Sequence, residues 1–131
     1  MQYSQIVQDI NIAVRQALAE NLYQLSEDQL ILRADDLLKR LPIVGDVEPT
    51  TELLMNHYHT ELHAELCENH QPRVRLETVE DELRELTRAV MATMGSDEGL
   101  SIETAVMLGL VLYKHGLAKF CAYPSTIADL A

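Results

Sequence analysis

Apolar residues recur along this chain at the three-to-four spacing of helices, with polar residues between them. Ile6, Ile10, Val14, Leu18 and Leu22 fall at every fourth position, widened by Val7, Ala13, Ala17 and Leu25. Gln5, Gln8, Asp9, Arg15, Gln16 and Glu20 lie mostly opposite. One apolar face at this period predicts a first helix over about 4–24. A second opens at Ser26, where Ser-Glu-Asp-Gln fits a capping box with Gln29 reaching back to the Ser26 backbone. Leu30, Ala34, Leu37, Leu38 and Leu41 are its buried side, and Pro42 ends it. Lys39 and Arg40 occupy the last turn, where the helix dipole favours positive charge. The short join predicts an antiparallel hairpin of these two helices.

The stretch 42–49 reads as a loop that packs down through Ile43, Val44 and Val47. Thr50 or Thr51 then caps a third helix running to about Asn69, with Leu54, Tyr58, Leu62 and Leu66 as its core face. A second loop over 70–75 carries Arg73 and Arg75. The fourth helix spans about Glu77 to Met94. Its residues Leu76, Val79, Leu83, Leu86 and Val90 keep the spacing of a coiled-coil seam. Two heptads are short for a free coiled coil, so the seam reads as packing within the domain, with a homodimer seam as the alternative. Gly95 is the expected C-terminal glycine.

The segment Ser101–His115 is different in kind. From Ala105 to Tyr113 it is apolar on every side, as a helix buried all round or in a membrane would be. It is well short of the roughly 20 residues a bilayer requires. It therefore predicts the central helix of a bundle. Ser101, Ala105 and Gly109 repeat at four-residue spacing, a small-residue stripe where another helix can come close. Gly109 costs about 1 kcal/mol of helix propensity relative to alanine, and close packing is the natural reason for it. Gly116 closes this helix, and Ser125, after Pro124, caps a short last one. The expected fold is all-α: a single domain over 1–131, with five main helices and a short C-terminal helix around 101–115.

Composition narrows the picture. Hydrophobic residues make up 47% of the 131, but there is no Trp and one Phe, so the core must be aliphatic. The formal net charge is −11. Such a chain repels a phosphate backbone, so direct nucleic-acid binding is not expected. The acidity serves solubility, or it attracts a basic partner. The N-terminal MQYSQIVQDI lacks a basic segment followed by an apolar run, so no signal peptide is expected. Cys67 and Cys121 do not make a disulfide framework, which leaves a reducing cytoplasm as the default.

One stretch carries possible chemistry. HYHTELHAELCENH, from His57 to His70, holds four of the five histidines and Cys67. On a continuous helix His59, His63 and His70 fall within about 40° of one another, and Cys67 about 40° further round. Imidazoles at i, i+4 can share a metal, and an imidazole–thiolate set suits Zn²⁺. One straight helix cannot encircle an ion, so Cys121 or a symmetry mate would complete the set. The histidines also border the core face, where boundary residues merely pack. Glu-x-x-His pairs of a di-iron bundle, a phosphate-cradling glycine loop and a nucleophile elbow are absent from the sequence. The sequence thus supports a non-enzymatic, acidic interaction module: an adaptor, inhibitor or regulatory subunit. Its binding face would be Glu77, Glu80, Asp81, Glu82 and Glu85, facing a partner with a basic surface. The alternative is a metal-binding or metal-sensing bundle using His59, His63, Cys67 and His70.

Overall fold

The structure, a computed structural model, describes residues 2–40, 50–68, 71–72 and 78–122. The all-α class holds. Helix α1 spans Gln2–Ala19 and is followed by a single 3₁₀ turn, Leu22–Gln24. It stops short of the expected Gln24 because Asn21 takes the left-handed conformation, at φ 59°. The apolar stripe is uneven as a result. Ile10, Val14 and Ala17 are buried, Leu18 and Leu22 are half-buried, and Ile6 stands exposed.

Helix α2, Glu27–Leu38, begins with the full capping box: Ser26 Oγ accepts from the Gln29 N–H, and the Ser26 N–H donates to Gln29 Oε1. Leu30, Ala34 and Leu38 are its buried residues. Leu41 and the loop 42–49 lie outside the described residues. Asp35 accepts a 2.7 Å hydrogen bond from the Thr51 N–H, which ties the next helix to α2.

The expected third helix is two. Helix α3 is Thr51–His57, capped by Thr50, and α4 is His59–Leu66. They meet at Tyr58 (φ −100°, ψ 13°), outside the helical well. Leu54, Tyr58, Leu62 and Leu66 are nonetheless all buried. The chain then leaves the helix three residues early. Cys67 is extended, and strand β1, Cys67–Glu68, pairs antiparallel with β2, Gln71–Pro72.

Helix α5, Val79–Val90, buries Leu83, Leu86 and Val90 completely within the chain. Gly95 does not end it. The chain passes through a π-helical turn, Met91–Gly95, into the short helix α6, Ser96–Glu98. Gly99 is the terminating glycine, at φ 64°. Helix α7, Ile102–His115, is capped by Ser101, whose side chain accepts from the Thr104 N–H, and stops at Gly116. Every residue from Thr104 to Leu112 is buried. Helices α5, α2 and α1 all pack along it. A Cβ placed on Gly109 would lie 3.0 Å from Thr87 Oγ1 and 3.3 Å from the Thr87 backbone nitrogen. The close approach expected from the small-residue stripe is therefore that of α5. Ser101, the first residue of the stripe, serves as the helix cap. Helix α8, Leu117–Ala122, buries Phe120 and Cys121. The helix expected after Pro124 lies outside the described residues.

Candidate functional site

The acidic residues of α5 form ion pairs with arginines. Glu80 lies 3.5 Å from Arg84, an i, i+4 pair on one helix face, and 3.7 Å from Arg15 of α1. Arg84 also binds Asp81. Hydrogen bonding to Thr78 and then to Arg84 holds the Asp81 carboxyl below its ordinary range. Arg88 donates to Glu85 through Nε at 2.9 Å and approaches Glu65 of α4 at 3.5 Å. Glu77 lies outside the described residues.

Glu82 differs from these acids. It is half-buried with no basic partner among the described residues, and burial pushes its carboxyl up. A raised carboxyl favours the protonated folded form, so ionised Glu82 lowers stability above the carboxylate range. Glu82→Gln is expected to unfold at a higher temperature than the parent at pH 7. The gain should shrink as the pH falls through the carboxylate range, and parallel pH–stability curves would refute this assignment.

A second group of acids gathers around Tyr58. The Tyr58 hydroxyl donates to Glu98 Oε2 at 2.7 Å. Burial first, then Glu98, then the charges of Asp97 and Glu61, push this phenol up to about 12. No lysine or arginine among the described residues pairs with Glu61, Asp97 or Glu98. Spacing along the chain does not reveal this group, because its members come from α4 and α6, with Tyr58 between α3 and α4. The two acidic groups connect. Glu61 lies one turn from Glu65 on α4, and Glu65 meets Arg88 and through it Glu85 on α5. A carboxylate-rich ridge thus runs from α6 over α4 and along α5.

The histidine stretch is rearranged relative to the sequence expectation. His59 and His63 do share a face, with ring centroids 5.9 Å apart, and both lie against Phe120 at 5.1 and 6.0 Å. His63 Nε2 is 3.2 Å from the Cys121 carbonyl oxygen. His59 is buried, and burial and then its neighbour His63 hold its imidazole below the ordinary histidine range. The two cysteines, which by number and spacing made no disulfide framework in the sequence, are nonetheless paired: Cys67 and Cys121 form a disulfide. Cys67 leaves the helix at the β1 turn, which takes it off the helical face assumed for it and brings it to α8. In this state it offers no thiolate to a metal. His70 lies outside the described residues. Among those described, no three His, Cys, Asp or Glu side chains are grouped to hold a metal ion.

A cleft of about 440 Å³ opens between α1, α2 and α7. Ala17, Val106 and Met107 line it, together with the charged residues Arg33, Arg40, Asp36, Glu20 and Glu103. No described helix is long and apolar enough to cross a membrane. No family model, curated protein or solved structure matches the chain.

Proposed function

We propose that the protein is a non-enzymatic interaction module, an adaptor, inhibitor or regulatory subunit, organised as one domain with α7 as its central helix. It binds a basic partner through the acidic ridge. The observation that carries this reading is the ridge's division of labour. Arg15, Arg84 and Arg88 orient the carboxylates of α5, while Glu61, Asp97 and Glu98 around Tyr58 have no basic counterpart among the described residues. Lysines or arginines on a partner supply that counterpart, and the chain's charge of −11 steers the encounter.

The test is capture of partners from the native cell by the parent and by the triple variant Glu61→Gln, Asp97→Asn, Glu85→Gln. The parent is expected to retain a defined partner with a basic surface at low salt and release it as salt screens the charges. The variant should retain roughly tenfold less, with an unchanged circular dichroism spectrum. Equal capture by parent and variant would refute the ridge.

A further inference from the structure

The Cys67–Cys121 disulfide ties together two of the least self-supporting elements of the described fold. Cys67 stands in β1, a strand of two residues paired with the two of β2. Cys121 stands in α8, a helix of six residues, and isolated helices shorter than about 12 residues are marginal in water. Helix α8 packs on β2, α7 and α4, and its buried residues are Phe120 and Cys121. Gly116 joins it to α7 at φ 100°, and a Cβ there would meet only the Lys119 Cβ, at 3.8 Å. This joint is uncrowded. The seat beneath α8 is also imperfect. The Phe120 ring lies against His59 and His63 of α4, and beside it His59 is 93% buried with its Nε2 lacking a hydrogen-bond partner. A buried polar atom left unsatisfied costs stability that contact with water would return. Docking of α8 therefore works against a desolvated imidazole, and the covalent bond offsets that cost.

We propose that the Cys67–Cys121 disulfide is a redox latch on α8: its reduction by a dithiol lets α8 swing away about Gly116 and uncovers the His59–His63 face of α4, while α1, α2, α5 and α7 stay packed. A thiolate of the dithiol attacks one sulfur of the bridge, the S–S bond breaks, and the other cysteine leaves as a thiolate and takes a proton. The second thiol of the reductant then resolves the mixed disulfide. Two electrons and two protons pass to the chain, which holds two thiols, and the reductant becomes a disulfide. Cys67 is the accessible end, since it is slightly exposed and Cys121 is not. The core is independent of the latch. Helix α7 is enclosed by α5, α2 and α1, none of which the bridge touches. Opening is thus a local event, of the kind drawn from the elements with the fewest buried contacts.

The test follows the full chain without a histidine tag, oxidised and then reduced with a dithiol, by amide hydrogen exchange and by NMR titration of the histidine rings. On reduction the amides of α8 are expected to exchange about tenfold faster or more, while those of α5 and α7 keep their protection. His59 supplies a second readout. In the oxidised chain burial, and then His63, hold its imidazole below the ordinary range. Once Phe120 leaves, water reaches the ring, and its titration should move up toward the ordinary value of about 6.5. The double variant Cys67→Ala, Cys121→Ala should show both changes without reductant, and reoxidation of the parent should reverse them. Unchanged exchange in α8 on reduction would overturn the proposal, as would a His59 titration that does not move. Loss of protection in α5 and α7 together with α8 would also overturn it, because the bridge would then support the whole fold.

Discussion

Replacing Cys67 and Cys121 together with alanine is expected to lower the unfolding free energy by about 4 kcal/mol. The two cysteines lie 54 residues apart, and the loop they close contains all of α5, α6 and α7. A cross-link over a loop this long removes many conformations from the unfolded chain and few from the folded one. Against a total of about 5–15 kcal/mol for an ordinary domain, the loss is large. Urea unfolding of the oxidised parent and the double variant measures it directly. A difference below about 1 kcal/mol would mean that the unfolded chain is already held compact without the bridge.

Gly109→Leu should destabilise the protein by about 1–3 kcal/mol. The obstacle is partly backbone. A Cβ at this position sits 3.3 Å from the Thr87 nitrogen as well as 3.0 Å from Thr87 Oγ1, and Thr87 is completely buried. A side-chain tip can rotate away, but the α5 backbone must shift as a unit. Gly109→Ala should accordingly gain less than the roughly 1 kcal/mol that helix propensity alone offers. Combining it with Thr87→Ala removes the Oγ1 contact and separates side-chain crowding from backbone crowding in a double-mutant cycle. If Gly109→Leu is as stable as the parent, α5 and α7 do not pack as described.

Local chemistry was legible in the sequence, and distant pairing was not. The Ser26–Gln29 capping box depends on residues three apart, and both of its hydrogen bonds form. Leu54, Tyr58, Leu62 and Leu66 stay on one buried face even though the helix breaks at Tyr58, because the break preserves the Tyr58-to-Leu54 and Leu62-to-Tyr58 backbone hydrogen bonds. Helix ends were harder to read. Asn21 and Gly99 stop helices by taking positive φ, which the tertiary arrangement selects, and Gly95 is passed over despite being a glycine. Asp35 accepts from the Thr51 N–H, a partner sixteen residues away that local spacing does not mark. The candidate sites divide in the same way. Glu80–Arg84 is a pair that i, i+4 spacing can mark, while Arg15–Glu80, Arg88–Glu65 and Cys67–Cys121 join separate elements that periodicity cannot connect.

The π-helical turn at Met91–Gly95 sets the direction in which α6 points. A wider turn acts as one inserted residue, and each residue turns a helix by about 100°. With the insertion, Glu98 points at Tyr58 and accepts from its hydroxyl. Straightened into a regular α-helix, the same sequence would swing Asp97 and Glu98 about a quarter-turn away and leave a buried phenol without an acceptor. The end of the acidic ridge is therefore aimed by a registry shift in the backbone, and a one-residue deletion between Met91 and Gly95 would redirect it while leaving every charge in place.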